Sequence, residues 1–426
     1  MEKLLRVQPQ VLPVERVSIP EVKNVTLSNG IPVYLIESGT EEITRIEFTF
    51  MAGQLMENRP LLASTVNMML AEGSVNYTSE ELHSILDFYG AFLHPSVDKD
   101  RGGIIMFTLN RHFGRVIELA NEILFRPVFP EKELTALMNK RLQWYLINRE
   151  KVQNLAYDQF FESVFGNNHP YGFQARENDF TTIDSTLLKS FHSRHYSPGG
   201  MAIIIAGKIP QDAVEILESR FGNLTVSKPD EEMPQLHIAG TPRRKVHVRH
   251  NGNMQTAIRI GCTTINKRNA DYPALKVLDT ILGGYFGSRL MKNIREEKGY
   301  TYGVRSTVSS LALSGYIAIS TEVGNENVLS AIDEIYKEIR ILQLQLVSRN
   351  ELDTVKNYLA GELLRMFDGP FATAESFRSA WEFGLDNNYY LKFAEKIRSI
   401  EPDEIKQLAN TYFDIDDLYE ITAGSE

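Results

Sequence analysis

The pattern of polar and apolar residues predicts an α+β protein of two homologous domains, each a mainly antiparallel sheet covered by helices. Three observations carry that expectation. The chain has 426 residues, more than one hydrophobic core ordinarily serves. One order of strand-like and helix-like segments occurs twice at an offset of about 210 residues, too long for a solenoid and so a domain duplication. The repeating unit also mixes two-residue alternation with helical periodicity, the mark of helices layered on a sheet.

The elements follow in order. Val25-Thr-Leu-Ser-Asn-Gly-Ile-Pro-Val-Tyr34 sets Asn-Gly between two extended runs, a hairpin signal. Ile46-Glu-Phe-Thr-Phe50 alternates as a strand, and an apolar helix from about Leu61 to Leu70 ends before Gly73. The second half repeats this with a strand at Ala257-Ile-Arg-Ile-Gly261 and a helix from Tyr272 to Leu282, ending at Gly283-Gly284. A more polar helix closing on glycine comes next in both halves, Glu80 to Gly90 and Ser288 to Gly299. Both glycines suit the left-handed stop of a helix. Strands at Gly103–Thr108 and Gly315–Ser320 follow. Helices are then expected around Val116 to Leu124 and Val328 to Leu342, and around Pro130 to Asn148 and Arg349 to Arg365. The boundary is placed in a linker at 223–244, rich in Pro, Lys, Asp and Glu and without sustained periodicity, between domains at 1–222 and 245–426.

Composition narrows the function classes. A hydrophobic share of 43% and a charged share of 23% are those of an ordinary soluble globular protein. A net charge of −10 argues against nucleic acid as a general partner, though it leaves room for a local basic pocket. The single cysteine, Cys262, excludes an intrachain disulfide and a cysteine-based zinc cluster, and reads as a buried strand thiol. Met1 to Pro9 has no apolar signal core, and no stretch reaches membrane-spanning length. The expectation is a cytoplasmic chain, or a periplasmic one if a signal peptide has been trimmed, with no membrane partner.

Four motifs stand in order on this duplicated frame. They are the Asn29-Gly30 hairpin, His169-Pro-Tyr-Gly172, Phe191-His-Ser-Arg-His-Tyr-Ser-Pro198, and the strand Met201-Ala-Ile-Ile-Ile-Ala-Gly207. Together they resemble the insulinase/pitrilysin superfamily of zinc metallopeptidases over nearly the whole chain. The likeness is to its processing-peptidase-like, bacterial short-subunit branch with a metallohydrolase-like duplicated fold. Pro60 to Ser74 is similar to that family's zinc helix, which carries His-x-x-Glu-His before a Gly-Thr or Gly-Ser. Aligned on Gly73-Ser74, the histidine places hold Ser64 and Met68 and the catalytic glutamate place holds Asn67. A hydroxyl, a thioether and an amide supply neither zinc ligands nor a general base. The family's distal zinc glutamate falls within Leu134 to Asn148 here, a run with no Glu or Asp. The whole metal set is missing.

Arg295-Glu-Glu-Lys-Gly-Tyr-Thr-Tyr302, by contrast, resembles the family's substrate-gripping Arg/Tyr element in full. Gly299 between them puts Arg295 in the last helical turn and Tyr302 at the start of the next strand. Arg offers a planar fork of donors and Tyr a phenolic donor, suited to a peptide carbonyl and its developing oxyanion. Without the resemblance the plain reading is a solvated helix charge and a half-buried strand aromatic. Only Gly283-Gly-Tyr-Phe-Gly287 stands where mitochondrial processing peptidase has a long glycine-rich loop, so presequence recognition of that kind is not implied. What the resemblance implies is the non-catalytic subunit of a heterodimeric zinc endopeptidase. A similar-sized partner would supply His-x-x-Glu-His and zinc, this chain would hold no metal, and extended peptide would lie between them. The rival is an inert scaffold or interaction protein of the same fold; a homodimer without the partner stays open. His192-Ser-Arg-His195 and Asp368-Gly-Pro370 read as structural, and Met68 as a core residue filling a lapsed metal pocket.

Overall fold

The computed structural model describes residues 18–226, 236–386 and 388–425. The expectations placed on Met1 to Pro9, and on residues 227–235 of the linker, lie outside them. Six strands form the first sheet: β1 Lys23–Thr26, β2 Pro32–Glu37, β3 Ile43–Phe50, β4 Phe92–Val97, β5 Gly102–Leu109 and β6 Ala202–Gly207, in the order β1-β2-β6-β3-β5-β4. The second has five: β7 Lys245–Arg249, β8 Gln255–Thr264, β9 Val304–Ser310, β10 Gly315–Gly324 and β11 Tyr419–Gly424, in the order β7-β11-β8-β10-β9. With β1 set aside, the two orders correspond strand for strand. The β2–β6 and β7–β11 pairs are parallel and every other pair is antiparallel. The fold is therefore a duplicated α+β unit.

Local chemistry explains the elements. β1 and β2 pair from Thr26–Pro32 outward, and Gly30 supplies the left-handed turn at φ +95°. The Ser79–Phe88 helix opens on a capping box between Thr78 and Glu81, and Gly90 (φ +58°) stops it. In the second half the Tyr272–Asp279 helix widens to i→i+5 bonding over Thr280–Gly284, as does Met291–Glu297, where ordinary α-turns were expected. The first widening begins next to buried Asp279, which accepts from Ser306 Oγ at 2.6 Å and pairs with Lys276 at 2.9 Å. These bonds anchor the helix to β9. No helix among the described residues is long and apolar enough to cross a membrane.

Alternation along the central strands divides each sheet into two faces. Ile46, Phe48 and Phe50 of β3 enter one core, and Ile258, Ile260 and Cys262 of β8 enter another. Burial pushes the Cys262 thiol up to about 12, the state of an inert strand thiol. The opposite faces are covered by helices exchanged between halves. Val152–Phe165 from the first half packs on β8 and β11, and Pro370–Trp381 from the second packs on β6 and β2. The face beneath Pro370–Trp381 is charged, and the charge is paired. Arg378 meets Glu47 at 3.2 Å, Glu382 at 2.7 Å and Asp98 at 2.5 Å, while Arg45 meets Glu47 at 2.7 Å. Asp100 adds a second latch, its Oδ2 accepting from Ala312 N at 2.9 Å.

Candidate functional site

The helix expected to hold metal runs Leu62–Met69, entered through Leu61 in a left-handed conformation at φ 72°. The first turn of a helix leaves N–H groups unsatisfied. Glu57 takes one of them, its Oε1 accepting from Ala63 N at 2.7 Å. Burial pushes this carboxyl up to about 8, against the pull of the Ala63 bond and of Arg141.

Arg141 is the residue that sequence reasoning missed. It lies on the Glu131–Asn148 helix, the one searched for a distal carboxylate. Its guanidinium donates to Ser64 Oγ at 2.8 Å and to Thr65 Oγ1 at 2.5 Å. A fixed cation thus bonds the position where the first zinc histidine would stand. Asn67, at the catalytic glutamate place, is buried and structural, with Nδ2 donating to Gly103 O at 2.7 Å and to Tyr196 Oη at 3.2 Å. Met68 corrects the expectation of a core methionine. It is 40% exposed while Val66 and Met69 are fully buried, because the helix turns its 66/69/70 face to the core. Among the described residues no group of three His, Cys, Asp or Glu side chains is placed to hold a metal. The donor set does not fit zinc: the Ser64 and Thr65 hydroxyls face a guanidinium that would repel a second cation, and the Asn67 amide is engaged elsewhere.

The other motifs are joints. His169 Nδ1 accepts from Tyr171 N at 3.1 Å, and burial with nearby Lys99 pushes its imidazole down to about 4. Tyr171 donates to Asp100, which links the motif to the latch between halves. His192 stacks on Tyr196 and lies 2.8 Å from Leu124 O, while His195 packs against Phe191.

Arg295 sits on the Met291–Glu297 turn, held from behind. Asn293 Nδ2 donates to Glu334 and Glu338 at 2.8 and 2.7 Å, and Arg289 grips Glu351 with two bonds at 2.8 and 2.9 Å. Gly299 at φ +67° stops the turn. Arg295 lies with its guanidinium carbon 4.6 Å from the ring centre of Phe286, itself 64% exposed. Tyr302 is 93% exposed. It was expected at the head of the strand but precedes β9, on a turn where Thr301 Oγ1 accepts from Gly303 N at 3.1 Å. That hydroxyl competes with ladder pairing and delays the strand to Val304. Tyr302 lines a cavity of about 350 Å³ that Arg295 does not reach, and no hydrogen bond joins the two among the described residues.

Fold and motifs together define a duplicated α+β chain whose Leu62–Met69 helix carries no His, Cys, Asp or Glu. Residues 182–359 match the peptidase M16 inactive domain, a model of the insulinase-like superfamily, and the chain is similar to that superfamily. It is 22% identical over 349 residues to the uncharacterized zinc protease YmxG of Bacillus subtilis, covering 80% of this chain and 84% of that one. It is also 22% identical over 398 residues to the non-peptidase homolog YmxG of Helicobacter pylori, covering 91% and 90%. A crystal structure of a peptidase M16 inactive domain from Pseudomonas fluorescens has the same fold, with a TM-score of 0.86 and 22% identity over 95% of this chain and 98% of that one.

Proposed function

We propose that this chain is the non-catalytic subunit of a heterodimeric zinc endopeptidase. A similar-sized partner carries His-x-x-Glu-His and holds the zinc, and this chain closes the chamber over extended peptide. One observation carries the reading: Tyr302 projects almost wholly into solvent from a turn that the chain has tied down. Buried aromatics are stabilised by packing, whereas this ring makes almost no contact of its own. Nearby in sequence, Arg295 rests on an exposed ring and keeps its edge donors for an incoming acceptor. The two side chains supply what a peptide carbonyl and its oxyanion require. The inert scaffold is the alternative, and the pair's action on bound substrate tells the two apart.

The deciding experiment combines this chain with a His-x-x-Glu-His subunit and measures both assembly and cleavage of an extended fluorogenic peptide. Arg295→Ala and Tyr302→Phe should assemble normally and lose about 10²–10³ in kcat, the usual cost of one oxyanion donor. Normal assembly with wild-type cleavage in both variants would replace the subunit reading with the scaffold.

A further inference from the structure

The wall beside Tyr302 holds two cations that the clamp does not use. Arg259 of β8 and Arg305 of β9 both stand in register with Ser320 of β10. They therefore share one face of the sheet, two strand spacings or about 10 Å apart. The Val152–Phe165 helix roofs that face, and the cavity between is lined by Gln153, Arg259, Tyr302, Arg305, Ser320 and Glu322 among others.

Arg259 packs against two rings of the roofing helix, its guanidinium carbon 4.7 Å from the Tyr157 ring centre and 5.1 Å from that of Phe160. Ring contacts of this kind hold the guanidinium in place without answering its N–H donors. Arg259 Nε is buried and has no hydrogen-bond partner. Among the described residues neither Arg259 nor Arg305 is paired with a carboxylate. Glu322 is the acidic group in the cavity; it stands one row away, opposite Ala257, and pairs with neither. A buried guanidinium edge without an acceptor is unfavourable unless something arrives to take its protons. Burial, with Arg305 repelling from across the cavity, weakens Arg259's hold on its proton, and an anion between the two would reverse the second effect.

We infer that Arg259 and Arg305 form a carboxylate-binding subsite, taking an acidic side chain or the C-terminal carboxylate of an extended peptide beside Tyr302. The identity of the ligand as peptide rests on the function proposed above. The two-oxygen carboxylate matches the planar fork of a guanidinium, here held beside the two rings.

The test uses the isolated chain in calorimetric titrations with three Ala/Ser peptides of equal length. One is amidated with a single internal Glu, one has a free C-terminus and no acidic residue, and one is amidated and neutral. Inorganic phosphate serves as a competitor. At least one carboxylate peptide should bind about tenfold or more tightly than the neutral peptide, with affinity falling as salt rises; which one does so identifies the source of the carboxylate. Arg305→Gln changes an exposed position on an edge strand and should erase that preference. Arg259→Met keeps a stem beside the two rings and should do the same, while Glu322→Gln removes an internal competitor and should tighten binding. Equal binding of all three peptides, binding of none, phosphate competing as strongly as the carboxylate peptide, or an unchanged preference in both arginine variants would overturn the subsite. A partnered enzyme that cleaves without carboxylate preference would remove the subsite and keep the subunit reading. Carboxylate-dependent binding without cleavage in any pairing would do the reverse.

Discussion

Arg141 and Arg259 are both largely buried guanidiniums, and burial loosens the proton of each, yet their surroundings differ in kind. Arg141 has acceptors at Ser64 and Thr65 and the Glu57 carboxyl nearby. Arg259 has two aromatic faces and an unanswered edge. Where the chain has closed a lapsed site, it has supplied the acceptors that a buried cation needs. Where acceptors are missing, the cation is available to a ligand. The first region is finished as structure; the second is not.

Replacement by methionine, read by urea unfolding, puts that contrast on a scale. The largest loss is expected at Arg378, the most fully answered cation, because Arg378→Met takes the shared cation from Glu382 and Asp98 and leaves buried Glu47 with Arg45 alone. Removing one partner of a buried ion pair typically costs about 3–5 kcal/mol. Arg141→Met should follow at about 2–3 kcal/mol, since two charge-assisted bonds disappear and two hydroxyls lose their donor. Arg259→Met should cost less than about 1 kcal/mol, because its stem still packs and no acceptor is orphaned. An Arg259→Met penalty equal to that of Arg141→Met would show that Arg259 is already satisfied, and the contrast would collapse.

Much of the fold was legible because it rests on periodicity. Alternation marked β3, β5, β8 and β10, and Gly90 and Gly299 marked two helix stops that are left-handed in the structure. The duplication follows from the same signals, since strand order repeats when segment order repeats. What sequence does not encode locally was missed. The apolar positions of Val152–Phe165 announce burial but not against which sheet, so the helix exchange could not be read. Met68 lies among apolar neighbours, and only the phase of a short helix turns it outward. Arg141 escaped because a carboxylate was sought on its helix; a cation in that run, facing two hydroxyl residues in place of ligands, was the available signal. The register that aligns Arg259 with Arg305 depends on long-range pairing.

The last expected effect concerns how the closed site responds to pH. Glu57 has its carboxyl pushed up to about 8 from an ordinary 4.5, chiefly by burial. A group whose pKa is raised by folding contributes stability that is fully present below its unfolded value and is lost as pH rises through its folded value. Glu57 should therefore make the protein progressively less stable between pH 4.5 and about 8. Lys99, pushed down to about 8 by burial, acts in the window above and leaves this one nearly untouched. Asp158, pushed up to about 6, and His169, pushed down to about 4, titrate inside or below the window but are common to wild type and variant. Glu57→Gln keeps an acceptor for Ala63 N and has nothing to ionise. Urea midpoints across this range should fall less steeply in the variant than in the wild type, the two curves diverging as pH rises. Parallel curves would mean that Glu57 ionises as readily in the folded chain as in the unfolded one. The site around Arg141 would then be open to water, and the distinction from Arg259 would lose its physical basis.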